Sequence, residues 1–99
     1  MTSSSFASGF DAEAVATAVE ACPSVARLTA GNLGVEVATY LPGRRVRGVR
    51  LDGATVEVHV AARDGVPLPR VGEDVRAAVA PLVGGARVSV YIDDLDETP

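Results

Sequence analysis

From Val46 to Arg63 the chain reads VRGVRLDGATVEVHVAAR, two alternating runs on either side of Asp52-Gly53. Alternation at period two is the signature of a half-buried strand, and Asp-Gly between two such runs is a strong hairpin signal. With Asp52 and Gly53 at the turn centre, Leu51 faces Ala54, Val49 faces Val56 and Gly48 faces Glu57. Val49, Leu51, Val56, Val58 and Val60 then share an apolar face, and Arg50, Thr55, Glu57 and His59 share a polar one. A slip of one residue would exchange the two faces of the slipped strand.

The rest of the pattern falls around this hairpin. Ser8 and Asp11 are spaced as a capping box, and Ala12, Val15, Ala16, Val19 and Cys22 follow at helical spacing up to Pro23. Val25 to Thr29 reads as a short strand, Ala30 to Gly34 as a turn, and Val35 to Leu41 as a second strand that Pro42-Gly43 breaks. Asp64-Gly65 and the stiff Val66-Pro67-Leu68-Pro69 connector precede a second helix starting near Pro69 or Arg70. Its apolar stripe is Val71, Val75, Val79 and Leu82, with Arg76 and Ala77 outward, and Pro81 and Gly84-Gly85 end it. Arg87 to Asp93 is the last strand, with Val88, Val90 and Ile92 inward and Ser89 and Tyr91 outward.

The element order is therefore α-β-β-β-β-α-β. Two amphipathic helices and one apolar sheet face bury each other most simply as a two-layer α/β (α+β) sandwich, a mixed sheet with both helices on one face. The second helix is long enough for a right-handed parallel crossover into the last strand. The other face then carries Arg50, Glu57, His59 and Tyr91. Residues 1–9 read as a disordered tail, 10–95 as one α/β domain, and 96–99 as an acidic end; the acidic run Asp93 to Glu97 is expected to be frayed.

Composition narrows the function classes. The 99 residues suffice for one core without staples. A net charge of −4 argues against a general nucleic-acid binder. Every basic residue is arginine, a sign of GC-rich coding. The single Cys22 cannot form an internal disulfide and fits a reducing, cytoplasmic setting. No apolar run approaches a membrane span, and the first residues lack the basic and apolar regions of a signal peptide.

Candidate chemistry is sparse. His59 is the only histidine, and the only thiol is expected on the core side, so neither a Cys-His pair nor a structural zinc site is assembled. Asp93, Asp94, Asp96 and Glu97 lack the glycine turn of a calcium loop. Gly31-Asn32-Leu33-Gly34 matches the G-x-x-G loop of RNA-binding KH domains in form, but it has no basic residue and lies between strands. No catalytic residue, cofactor or metal is expected. Arg44, Arg45, Arg47 and Arg50 form the one dense electropositive segment, which could meet phosphate or a carboxylate-rich partner, or serve as a solvated edge that blocks strand pairing.

Taken together, Pro-Ser-Val-Ala at 23–26, the VRGVRLDGATVEVHV hairpin, the DGVPLP connector at 64–69, the VGEDVRAAVAPLV helix and the closing VSVYIDDL resemble the alkaline shock protein family, small envelope-stress-response proteins of Gram-positive bacteria. The likeness spans roughly residues 11–95 and is closest to compact members from GC-rich actinobacteria. It implies a non-enzymatic cytoplasmic protein that binds a protein partner or self-associates, in some members tethered beneath the membrane by an anchored partner, with no membrane insertion of its own. The residues expected at the contact are Arg44, Arg45, Arg47, Arg50, Glu57, His59 and Tyr91. The alternative is a small nucleic-acid-binding domain using the Arg44–Arg50 edge.

Overall fold

The structure, a computed structural model, describes residues 10–31 and 36–96. Its elements are α1 (Ala12–Glu20), β1 (Val25–Leu28), β2 (Ala38–Leu41), β3 (Arg44–Arg47), β4 (Val49–Asp52), β5 (Thr55–Arg63), α2 (Leu68–Val79), a 3₁₀ turn at Ala80–Leu82, and β6 (Arg87–Asp96). The fold is α+β: both helices lie against one face of a mixed sheet, as the hydrophobic pattern predicts, and the described residues hold one strand more than that pattern indicates. The residues 1–9, Asn32 to Val35 and Glu97 to Pro99, including the expected tail, most of the G-x-x-G turn and the start of the second strand, lie outside the described residues.

The sheet is organised on β5. Parallel β6 runs along one side of it, while antiparallel β4 and β1 share the other side end to end. The predicted faces are right and the predicted register is not. Val49 pairs with Val58, Arg50 with Glu57, Leu51 with Val56 and Asp52 with Thr55, so Gly53-Ala54 forms the turn centre. Moving the turn by one residue shifts the pairing by two, which leaves every side chain on its original face.

The missed strand is β3. Arg44–Arg47 does not lead straight into the main hairpin but pairs with β2 across Pro42-Gly43 in a separate two-stranded sheet. Gly48 makes the break. Its φ of +83° suits glycine, and a Cβ there would come within 2.7 Å of the Thr29 carbonyl oxygen. Its N–H donates to Val37 and its carbonyl accepts from His59, both at 2.8 Å. The chain thus leaves the main sheet at one residue without orphaning its backbone groups.

Val15 and Val19 of α1 and Val71, Val75 and Val79 of α2 pack onto Val49, Val56, Val58 and Val60, all fully buried. Burying each valine side chain contributes about 1.5 kcal/mol or more, which makes this face the main driver of folding. Three local expectations are corrected. Asp11 is the N-cap of α1 and not the third residue of a capping box, its Oδ1 accepting from Glu13 N–H and Ala14 N–H at 3.1 Å, and Ser8 lies outside the described residues. Val83 rather than Leu82 enters the core, because the 3₁₀ turn tightens the helix spacing there. The acidic run through Asp96 is not frayed but continues β6, held by the ladder to Arg63 and by Asp64 N–H donating to the Asp96 carbonyl at 3.1 Å.

Candidate functional site

The helix-free face of the sheet carries a polar cluster. Glu57 and His59 alternate with the core valines of β5, so both must point away from the helices. Arg50 stands opposite Glu57 on β4, and its Nη2 donates to Glu57 Oε1 at 2.7 Å. Tyr91 is the ladder partner of His59 on β6, and the two rings stack with centroids 4.5 Å apart and planes 11° from parallel.

A bulge in the β5–β6 ladder falls after Ile92, where Asp94 rather than Asp93 takes the place opposite Ala61. Asp93 is thereby the extra residue, and bulges re-aim side chains. Its Oδ2 lies 2.8 Å from His59 Nδ1 and accepts the Thr29 hydroxyl at 2.9 Å. An ionised carboxylate only accepts, so His59 carries a proton on Nδ1. His59 Nε2 faces Glu57 at 3.9 Å. The Glu57, His59 and Asp93 side chains are only 11–12% exposed, whereas Tyr91 is 45% exposed and forms the outer surface of the cluster. Arg50 Nε is enclosed without a hydrogen-bond partner among the described residues.

Of the residues expected at a contact, the structure brings together Arg50, Glu57, His59 and Tyr91. It sets Arg44, Arg45 and Arg47 apart on β3, each facing a carboxylate of its own chain. Arg44 pairs with Glu13 of α1 at 2.8 Å, and Arg45 and Arg47 approach Glu36 at 3.3 and 3.9 Å. Glu36 also accepts from the Tyr40 hydroxyl at 2.8 Å, a bond that pushes the phenol pKa up. The acidic end of β6 meets Arg27 instead, Asp94 at 3.2 Å and Asp96 at 3.8 Å. Beside it lies a depression of about 410 Å³ lined by Arg27, Thr29, Arg47, Asp93 and Asp94 among others.

Sequence reasoning missed Thr29 and Asp93. The signal for Asp93 was present, because Ser89, Tyr91 and Asp93 continue one parity along β6. Cys22 lies on the core side, buried, its Sγ 3.5 Å from the Ala18 carbonyl. Burial first, and the Asp74 charge second, push its pKa up. An aspartate holding a histidine by Nδ1 is the orienting half of an acid–base site, and here the second ring nitrogen is turned to Glu57 rather than to a hydroxyl or thiol.

The chain matches no protein-family model, no curated protein and no solved structure. Among the described residues no helix is long and apolar enough to cross a membrane.

Proposed function

We propose that this chain is a non-enzymatic cytoplasmic interaction protein, of the kind its resemblance to the alkaline shock family implies, and that it holds a protein partner on the helix-free face of its sheet. The observation that carries this reading is the His59–Tyr91 stack: a half-exposed aromatic ring fixed on His59, whose Nε2 faces the same Glu57 oxygen that the Arg50 guanidinium holds. Rigid aromatics and arginines dominate binding energy at interfaces, and a ring already immobilised loses little entropy on contact. Any attachment to a membrane would come through that partner.

Acid–base catalysis is the weaker reading, because both nitrogens of His59 face carboxylates and the thiol lies across the sheet. Nucleic-acid binding is weaker too, since Arg44, Arg45, Arg47 and Arg50 each face an acidic side chain of the same chain.

The test is affinity capture from the native host with the wild type and with Tyr91→Ala, which removes the ring without unpairing a charge. Proteins held by the wild type and lost by the variant, with circular dichroism unchanged, are the expected result. Equal capture by both would overturn the sheet-face contact. Tight DNA binding that weakens steeply with salt would favour the nucleic-acid alternative.

A further inference from the structure

Strand β6 presents an edge that no other strand among the described residues pairs. It is ten residues long, and among the described strands it pairs with β5 alone. Arg87 N–H donates to the Ala54 carbonyl at 3.0 Å, so Arg87 turns its backbone groups toward β5. In a parallel ladder alternate residues turn the same way, which directs Ser89 and Tyr91 inward and Val88, Val90 and Ile92 outward. A hydrogen bond on that outward side agrees: Arg76 Nε of α2 reaches the Val88 carbonyl at a long 3.4 Å.

The side chains show the same incompleteness. Val56, Val58 and Val60 of β5 are fully buried, whereas their ladder partners Val88, Val90 and Ile92 are only partly covered. Natural edges are guarded by charges, prolines or short length. The middle of β6, Val88 to Ile92, has no charge and no proline.

We propose that two copies of this chain associate through β6 edges paired antiparallel about a two-fold axis, joining their sheets into one. The self-complementary register is specific. Outward-facing residues must meet outward-facing residues, and of the registers that allow this the one that brings Arg87 to an acidic partner sets Val90 against Val90 of the second copy and Val88 against Ile92. That register supplies about six backbone hydrogen bonds. It places Arg87 against Asp93 of the other copy in a non-hydrogen-bonded pair, where side chains approach closest. Both internal bonds of Asp93 go to Oδ2, leaving Oδ1 as the oxygen for that guanidinium. The alternative parallel pairing would oppose Arg87 to Arg87 and the acidic ends to each other. The contact is isologous and closes at two copies. Arg76 is a competitor for the Val88 carbonyl, so α2 partly guards the edge.

This edge is a different surface from the His59–Tyr91 face, so a chain that fails to dimerise leaves the partner reading standing, and loss of partner capture by Tyr91→Ala does not bear on the dimer. The experiment is sedimentation equilibrium of the full chain over a wide concentration range. The wild type is expected to rise from the mass of one chain toward that of two, and no further. Arg87→Glu, which opposes like charges at both ends of the pairing, should remain at one chain over the same range. Val90→Pro should do so as well, because it removes an N–H the monomer leaves unused. Arg76→Ala should dimerise at lower concentration than the wild type. Circular dichroism of each variant confirms folding, and Arg87→Glu keeps the test intact if Val90→Pro unfolds. A wild type that stays monomeric, an unchanged dimer in folded Arg87→Glu, or a dimer lost in Arg76→Ala would each overturn the proposal.

Discussion

His59 Nδ1 stands 2.8 Å from Asp93 Oδ2, two residues beyond the ladder partner of His59. Asp93 has the parity of Tyr91, and it is the extra residue of the bulge that follows Ile92. The same oxygen accepts the Thr29 hydroxyl. One side chain therefore ties together the end of β1, the centre of β5 and the far half of β6.

Removing that side chain should cost far more than removing its neighbour. Asp93→Ala loses two hydrogen bonds to a charged, mostly buried acceptor, and is expected to lower unfolding free energy by about 2–4 kcal/mol. Asp94→Ala loses an exposed ion pair with Arg27 and should change stability by less than about 1 kcal/mol. Urea unfolding of both variants measures the contrast. Equal small effects would mean that Asp93 is solvated rather than structural. A cycle with Thr29→Val isolates the shared bond, with an expected coupling of about 0.5–3 kcal/mol.

What the sequence made legible was parity. The alternation of β5 alone fixed which residues lie beneath the helices, because that assignment survives any even error in register. Thus Arg50, Glu57, His59 and Tyr91 were placed on one face correctly although the turn lies one residue further on. Less legible were the features that depend on a single backbone angle or on distant chain. Gly48 reads as an ordinary strand residue until its neighbours Thr29 and His59 are in place, and without that break β3 merges with β4. Asp93 reads as part of an acidic run, and runs of charge are usually solvated. Its parity with Tyr91 separates it from Asp94, and what the pattern does not show is the bulge opposite Ala61.

Gly48 offers a direct check on that backbone account. Gly48→Ala must hold a Cβ at φ +83° and 2.7 Å from a backbone oxygen that cannot move aside. Gly43→Ala faces a similar φ of +76° with open space around it. The left-handed conformation alone costs about 1–2 kcal/mol, which both variants share. Gly48→Ala should therefore be the more destabilising by urea unfolding, since it adds a steric term to that cost. Equal losses would show that β3 and β4 can shift to accommodate the methyl group.

Val58 tests the layer arrangement. It is fully buried between Val49 on β4 and Val90 on β6, under both helices. Val58→Asp introduces an unpaired charge there, at a cost of several kcal/mol against a total stability of about 5–15 kcal/mol. The cooperative melting transition should be lost. Val58→Ala, which leaves only a cavity, should melt cooperatively at a reduced temperature. A normal melting curve for Val58→Asp would place the residue at the surface and dismantle the two-layer fold.

Cys22 carries the pH prediction. The folded thiol holds its proton more tightly than its ordinary value of 9.0 implies, through burial first and the Asp74 charge second. Below that value the thiol is protonated in both folded and unfolded chains, and its contribution to stability is fully present. As pH rises past it the unfolded chain ionises first and binds fewer protons than the folded one, so unfolding becomes easier. Stability should therefore fall through the alkaline range up to the raised pKa. Tyr40, also raised, contributes a loss of the same sign, so the wild type alone does not isolate the thiol. Cys22→Ala does, because Tyr40 is common to both chains. Unfolding free energies of the two compared between about pH 8 and about pH 10 should diverge, with the wild type falling faster. Alkylation by iodoacetamide at fixed pH should likewise be slower in the folded chain than in urea, because the thiolate is the reacting form and the core withholds it. Parallel pH curves together with rapid alkylation of the folded chain would place Cys22 at the surface and remove it from the stripe that α1 turns to the core.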